Sequence, residues 1–184
     1  MHHFISSLVT AGLLVGLVAT SVAATPDLTV TNPEGSLRFT LQVQDGTASY
    51  TVERCEGATT VPVLEPSPLG FTRTDADFAN GLAFVAAGEA SLVEDRYTLV
   101  AGKQRQIYSR GIERTFTLRN ATGMTLTLTV RAYRDGVAFR YGLPGDGSQL
   151  LRIGSEATGF NLPDDARLWA QPYSPVAVWA PGYE

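Results

Sequence analysis

The stretch that most constrains the fold is residues 124–132, where apolar and polar side chains alternate without a break. Methionine, leucine, valine and alanine occupy one set of alternate positions, and threonines and an arginine occupy the other. Successive side chains of a β-strand point to opposite faces of its sheet. The pattern therefore predicts a strand with one buried face and one polar face.

The same reading extends along most of the chain. Residues 37–43 alternate in the same way, and Asp45-Gly46 predicts a tight hairpin turn before a return strand at 48–52. Residues 112–119 form a third run, which the turn at 120–123 ends, and Asp135-Gly136 leads into a strand at 137–141. Residues 78–92 are compatible with one short helix, although two glycines weaken it. With 18 glycines and 10 prolines, the expected class is all-β, an antiparallel sandwich.

The first 24 residues predict a signal peptide with a short helix. Their apolar run is too short for a stable membrane span, and Val22 and Ala24 supply the small residues that a signal peptidase requires. The mature chain is then expected to begin at Thr25 and to form one domain over 25–184. The alternative is an uncleaved anchor helix. Export is favoured, which places the protein in the periplasm or outside a bacterial cell.

Counts of residue types exclude several mechanisms. Both histidines lie in the first 24 residues, so Ser-His-Asp catalysis and histidine metal sites are excluded for the mature chain. Cys55 is the only cysteine and is expected to be a small buried residue rather than an exposed thiol. The net charge of −4, with Lys103 the only lysine, argues against nucleic acid as a partner.

The last eighteen residues are unusually apolar for the end of a chain. They contain both tryptophans, and the aromatic side chains continue almost to Glu184. Free termini are usually polar and frayed. We therefore interpret this sequence as an interrupted protein whose tail approaches a second domain.

Four segments carry a resemblance to a known family. They are Asn32-Pro33-Glu34-Gly35, residues 63–70 (VLEPSPLG), residues 133–141 (YRDGVAFRY), and the aromatic tail from Trp169 to Tyr183-Glu184. In this order and spacing they resemble the N-terminal domain of glycoside hydrolase family 97, over about residues 28–184. The block at 133–141 and the tail are the specific parts of the likeness.

The resemblance implies an architecture and a role. Family members are exported bacterial α-glucosidases or α-galactosidases, with an N-terminal β-super-sandwich, a catalytic (β/α) barrel and a small C-terminal β domain. The sandwich packs on the barrel and shapes the rim of its active site, where a calcium ion is bound. The acid and base carboxylates lie in the barrel, so no catalytic residue is expected in this chain. Whether the substrate is a glucoside or a galactoside, and whether the anomeric configuration is inverted or retained, stay open.

The resemblance also implies a role for the tail. Glu184 matches the glutamate by which the front domain contributes one calcium ligand; because calcium takes six to eight oxygens, one glutamate does not hold it alone. Trp169, Tyr173, Trp179 and Tyr183 form either an interface with the barrel, which is favoured, or a platform for stacking sugars.

Other polar residues are better explained locally. Asp75 and Asp77, and Glu156 with Asp164-Asp165, are expected to cap turns rather than to act as a glycosidase pair. Glu65 is expected to be a turn carboxylate paired with an arginine. Asn120-Ala121-Thr122 matches a glycosylation sequon but is expected to be a hairpin turn.

Three functions follow from these patterns. The favoured one is a structural domain of a family 97 glycosidase, inactive alone, which meets a catalytic barrel and an oligosaccharide or α-glycoside substrate. The second is a stand-alone exported carbohydrate-binding sandwich without hydrolase activity. The third is an exported β-sandwich that binds a protein partner.

Overall fold

The structure is a computed structural model that describes residues 26–145, 147–148 and 150–169. All regular secondary structure in the described ranges is β-strand, which confirms the all-β class. The predicted signal helix lies outside the described residues. The strands are β1 Thr29–Thr31, β2 Leu37–Gln44, β3 Thr47–Glu56, β4 Thr59–Leu69, β5 Phe71–Arg73, β6 Ala83–Ala87, β7 Ser91–Thr98, β8 Gln106–Arg119, β9 Thr125–Tyr133, β10 Val137–Gly142 and β11 Ile153–Glu156. Within the described ranges, no helix is long and apolar enough to span a membrane.

The first sheet has the order β1-β2-β3-β4, with every neighbouring pair antiparallel. The predicted hairpin at Asp45-Gly46 joins β2 to β3 in register, from Leu37 opposite Arg54 to Gln44 opposite Thr47. Asp45 and Gly46 both have positive φ, 51° and 78°, as a two-residue turn of this hand requires. The sequence prediction for this hairpin is confirmed.

The second sheet has the order β10-β9-β8-β6, and β7 also pairs with β8. Strand β9 shows the predicted alternation: Leu126, Leu128, Val130 and Ala132 are buried. Met124, which precedes β9, is partly exposed. Strand β8 is longer than the predicted run at 112–119, because its first half pairs with β7 beyond the end of β9.

The two sheets pack face to face around one core. The inward residues of the first sheet include Val30, Phe39, Leu41, Tyr50 and Val52, and those of the second include Phe116, Leu118, Leu126, Leu128 and Val130. The Phe139 ring on β10 lies 5.3 Å from the Tyr50 ring and 6.4 Å from the Phe39 ring, so aromatic contacts join the sheets directly. This arrangement is an antiparallel β-sandwich, as the sequence predicts. A small pair, β5 with β11, lies beside it.

The short helix predicted within residues 78–92 is wrong. Residues 83–87 form β6 and pair with β8, while Phe78 is a fully buried loop residue. Gly81 has a φ of +66°, which is incompatible with a right-handed helix. Pairing with the free side of β8 therefore outweighs the helix propensity of the alanines in this segment.

The turn between β8 and β9 is held by Asn120. Its Oδ1 accepts hydrogen bonds from the backbone N–H groups of Thr122, at 3.2 Å, and Met124, at 2.8 Å. Its Nδ2 donates to the carbonyl oxygen of Asp77 at 3.0 Å, and the residue is buried. The interpretation of the sequon as a turn is confirmed, and in this fold the amide that glycosylation would require is already engaged.

Candidate functional site

The chain leaves the sandwich along the outer side of β4. After β11, residues 157–161 run beside the second half of β4 without forming a regular strand. Three backbone hydrogen bonds join the two segments: Ala157 N to Gly70 O at 2.9 Å, Gly159 N to Pro68 O at 3.0 Å, and Glu65 N to Asn161 O at 2.9 Å. We call residues 157–161 the exit segment.

Buried polar side chains fix the exit segment in place. The hydroxyl of Tyr50 donates to the carbonyl oxygen of Gly159 at 3.1 Å. Ser67 is fully buried, and its Oγ accepts the backbone N–H of Asn161 at 2.9 Å. The same Oγ donates to the carbonyl oxygen of Glu65 at 2.7 Å. Because these groups are satisfied by one another in the interior, displacing the exit segment leaves several of them unpaired.

Tyr141, near the end of β10, holds the exit segment in place together with Tyr50 and Ser67. Its hydroxyl accepts the backbone N–H of Gly70 at 2.8 Å and lies 2.8 Å from the Thr158 Oγ1. Burial raises the pKa of Tyr141 above the ordinary value of 10.0. The neutral phenol is therefore the form that joins the exit segment to the bend between β4 and β5.

Replacing Tyr141 with phenylalanine is expected to lower the free energy of unfolding by about 1–3 kcal/mol, because the Gly70 N–H stays buried without its partner. A folded-state pKa above the unfolded value gives stability that is present below about pH 10 and is lost as the pH rises through the folded-state pKa. The alkaline fall in stability should therefore be shallower in Tyr141→Phe.

Denaturant titrations at several pH values between neutral and strongly alkaline measure both effects. The matched control is Tyr97→Phe, whose exposed hydroxyl makes no hydrogen bond within the described residues. Equal unfolding free energies and equal alkaline slopes for the two variants would contradict the assigned role of Tyr141.

Large apolar side chains are exposed around and after β11. A cavity of about 290 Å³ is lined by Phe71, Tyr141, Leu143, Ile153 and Glu156. The exposed apolar residues between 150 and 169 are Leu150, Leu151, Ile153, Phe160, Leu162, Leu168 and Trp169. We call them the apolar exit surface. Apolar exposure of this kind is typical of a contact with another protein body.

The structure describes one of the five predicted site residues. Trp169 is 92% exposed, so its indole is available for a contact outside the sandwich. Tyr173, Trp179, Tyr183 and Glu184 lie outside the described residues, and their predicted roles stay predictions.

The acidic residues near β5 have local roles, as expected. Asp75 forms an ion pair with Arg73, whose hydrogen bonds hold the pKa of that carboxyl below its usual value. Asp77 accepts hydrogen bonds from the Asn80 side chain and from the backbone N–H groups of Ala79 and Asn80, which lower its pKa. Both carboxylates therefore stabilise turns. Asp164-Asp165 lie in an exposed turn, as expected, whereas the turn role predicted for Glu156 is wrong, because it is the last residue of strand β11.

Two other predictions need correction. Glu65 lies inside β4 rather than in a turn, and its exposed carboxylate forms no ion pair with any described residue. It lies where the register of β3 with β4 shifts, between the pairs Tyr50–Ser67 and Val52–Leu64, and its backbone N–H bonds to the exit segment. Cys55 is half-buried, not fully buried, since it lies near the outer end of β3.

The described part of the chain contains no group of three or more His, Cys, Asp or Glu residues that could hold a metal ion. The sequence did not predict that Ser67, Asn161 and Tyr141 together hold the exit segment. Ser67 belongs to the block at 63–70 and Tyr141 to the block at 133–141, but nothing in the sequence indicates that Asn161 lies beside them.

Comparisons with known proteins agree with this architecture. The model of the glycosyl-hydrolase 97 N-terminal family matches residues 30–184. A probable retaining alpha-galactosidase from Streptomyces bingchenggensis (strain BCW-1) is 36% identical over 170 residues, which is 90% of this chain and 26% of that protein. The chain thus spans about a quarter of the length of this curated relative.

Two solved enzyme structures contain a similar fold. A beta-arabinopyranosidase superposes with a TM-score of 0.66 at 29% identity, over 75% of this chain and 22% of that one. A glycoside hydrolase family 97 enzyme from Pseudoalteromonas sp. strain K8, solved in complex with acarbose, has a TM-score of 0.63 at 24% identity, over 74% of this chain and 20% of that one. At that identity the second likeness supports the fold alone. Because the family model matches nearly all of the described sandwich, the chain belongs to the family of glycosyl-hydrolase 97 N-terminal domains.

Proposed function

We propose that this chain is the non-catalytic front domain of an exported, calcium-dependent family 97 glycoside hydrolase. In that protein it packs on a catalytic (β/α) barrel and helps to complete its active site. The observation that carries the proposal is the apolar exit surface, whose residues lie before, within and after the anchored exit segment. A rigid departure point followed by exposed aromatic and aliphatic side chains suits a contact between domains.

The local chemistry supports a non-catalytic role. Asp75 and Asp77 are committed to an ion pair and to turn hydrogen bonds, so neither is poised as an acid or a nucleophile. The domain acts by position: it presents apolar side chains to the barrel, excludes water from their contact and directs the tail toward the active site.

Calcium enters the proposal through Glu184. We assign one ligand to this chain, Glu184, and the others to the barrel, because calcium takes six to eight oxygens. The ion would orient substrate oxygens and stabilise negative charge there. Export rests on the apolar run and small residues of the first 24 positions.

A chimera tests the function. Residues 26–184 of this chain would replace the matching segment of the Streptomyces relative, and hydrolysis of a chromogenic α-galactoside would be followed against calcium concentration. The chimera is expected to be active, and Glu184→Gln is expected to weaken the apparent calcium affinity by at least about tenfold, because a carboxylate ligand is lost.

The matched control is Glu89→Gln, an exposed glutamate in the loop between β6 and β7. It should leave the calcium dependence unchanged. A folded chimera that is inactive at all calcium concentrations would overturn the domain role. An active chimera with equal calcium dependence in both variants would overturn the role of Glu184 alone.

The second candidate is a stand-alone exported carbohydrate-binding sandwich without hydrolase activity. The exposure of Trp169 favours it, since an open indole is suited to stacking on a sugar face. It differs from the first candidate in requiring sugar binding that depends on Trp169 and needs no barrel.

A further inference from the structure

A second cavity lies at the other end of β10 from Tyr141. Its volume is about 550 Å³, and it is lined by Glu34, Tyr108, Ser109, Arg110, Arg134 and Asp135. Asp135 precedes β10 and Tyr141 lies six residues further on, so about 20 Å of extended strand separates this cavity from the anchors of the exit segment. The cavity is therefore independent of the apolar exit surface.

The cavity brings together two of the sequence blocks named above. Glu34 belongs to the turn at 32–35, and Arg134 with Asp135 belongs to the block at 133–141. Pairing of β8 with β9 begins at Gly111 opposite Tyr133, so Tyr108 and Arg110 extend beyond the end of β9 and pair only with β7. This overhang of the β7–β8 hairpin forms one wall, and the two turns form the others.

The Tyr108 ring is held in a defined orientation. Its hydroxyl donates to Glu94 Oε1 at 2.8 Å, and the Arg96 guanidinium lies 4.5 Å from the ring centroid. Arg96 lines a separate cavity that shares Tyr108, so it does not fill the space toward Arg110 and Arg134. The residue is 52% exposed. Arg96 covers one face of this fixed ring, so a ligand would stack on the other face, and the side chain needs little further ordering.

Hydrogen bonds also connect the walls of this cavity. The hydroxyl of Tyr133, at the end of β9, donates to Asp95 Oδ2 on β7 at 2.7 Å. Arg131 accompanies it, donating to Glu113 through Nε and to the Tyr133 hydroxyl through Nη1. These bonds hold the hairpin overhang against the turn that carries Arg134, so the cavity is largely formed before any ligand arrives.

The polar groups of the cavity include both donors and acceptors. Arg134 and Asp135 form no ion pair or side-chain hydrogen bond with any described residue. Glu34 uses Oε2 to accept from Asn32 Nδ2 at 3.1 Å, and its other oxygen has no such partner within the described residues. Arg110 is ion-paired with Glu94, at 3.4 Å between Nε and Oε1. The free guanidinium of Arg134 and the carboxylate oxygens of Asp135 and Glu34 thus line one space beside an aromatic ring.

This combination selects a class of ligand. A phosphate or a nucleic acid would be repelled by Glu34 and Asp135, and a simple cation would be repelled by Arg110 and Arg134. A sugar is neutral, its hydroxyls both donate and accept, and its C–H face packs on an aromatic ring. Cavities of about 300–1,000 Å³ hold small molecules, so a short oligosaccharide fits the available space.

We propose that this cavity is an oligosaccharide-binding site, in which the Tyr108 ring stacks on one sugar and Arg134, Asp135 and Glu34 bind its hydroxyls. The site goes beyond the proposed role of the domain at the barrel, because it needs neither calcium nor the exit surface. It would hold a glycan chain on the sandwich itself.

The test is a titration of the ¹⁵N-labelled chain with two trisaccharides, panose and raffinose, followed by NMR. At least one should bind saturably, with shifts centred on the amides of Tyr108, Ser109 and Arg110. Tyr108→Ala should weaken binding by about tenfold through loss of the stacked ring. Arg134→Ala should weaken it by about tenfold or more, because a charged hydrogen-bond donor is removed.

Two further variants separate binding from folding. Tyr108→Phe keeps the ring and should bind within about threefold of the original chain, since only the bond to Glu94 is lost. Tyr97→Ala is the matched control: it is 54% exposed on the same hairpin, but it lies opposite Ile107 and so faces the other side of the strands. It should bind as the original chain does.

The proposal is overturned if neither trisaccharide binds saturably, or if Tyr108→Ala and Tyr97→Ala bind equally well. It is also overturned if Trp169→Ala, rather than Tyr108→Ala, abolishes binding, because the sugar is then held at the exit surface. Each result is independent of the chimera experiment: an active chimera with no sugar binding at Tyr108 rejects this site and leaves the domain role intact.

Discussion

Replacing Gly70 with alanine is expected to lower the free energy of unfolding by about 3–5 kcal/mol, and it should be among the most damaging single methyl additions in the chain. Gly70 has a φ of +135°, a region that side-chain-bearing residues rarely adopt. An added Cβ would lie 2.5 Å from the carbonyl oxygen of Phe78 and 2.7 Å from the Cα of Ala79, which are backbone atoms that cannot rotate away. Denaturant unfolding followed by circular dichroism measures the loss.

Gly35 provides the comparison for Gly70. It also has a positive φ, +72°, but an added Cβ there meets nothing within 4 Å. Gly35→Ala should therefore cost only about 1 kcal/mol, the strain of the backbone alone. If the two alanine variants are equally stable, the close approach at Gly70 does not exist in solution.

Phe39→Ala is expected to lower the free energy of unfolding by about 3–5 kcal/mol. The ring is fully buried and stacks on Tyr50, with centroids 5.3 Å apart and planes 15° from parallel. It also approaches Phe139 from the opposite sheet. Its removal leaves a cavity between the two sheets that the surrounding strands cannot close, so both the transfer free energy and the packing are lost.

The control for Phe39 is Phe160→Ala in the exit segment. Phe160 is 64% exposed, and its ring meets that of Tyr50 edge to face, with centroids 6.5 Å apart. Its replacement should change stability by less than about 1 kcal/mol. A loss for Phe160→Ala as large as that for Phe39→Ala would mean that the exit segment, rather than the sandwich, dominates stability.

The strands were predictable where one face is buried and the other is polar. In β9 and β2 the alternation of side chains specifies both the element and its buried face, and Asp45-Gly46 specifies the turn. The segment at 78–92 was not predictable in this way, because β6 is short and its partner, β8, is distant in sequence. Local propensity then favours a helix that tertiary pairing prevents.

The site was less predictable than the fold, for a physical reason. The tail residues were selected by composition and by resemblance, and their predicted roles stay predictions; the structure describes only Trp169 among them, which is exposed. The exit segment and the cavity at Tyr108 depend instead on how strand registers bring residues together. Glu34 and Arg134 are 100 positions apart, in turns of different sheets, and the packing of the two sheets brings them to one cavity beside the overhang of β7–β8.

The exit segment has one more consequence, for association between molecules. Strand β4 lies last in its sheet, and an uncovered outer strand is a template for pairing with another chain. Residues 157–161 form backbone hydrogen bonds with the outer edge of the second half of β4. Pro62, Pro66 and Pro68 have no N–H group, so β4 also has fewer donors along its length. The hydrogen bonds that hold the exit segment on β4 thus also protect this outer strand from pairing with another molecule.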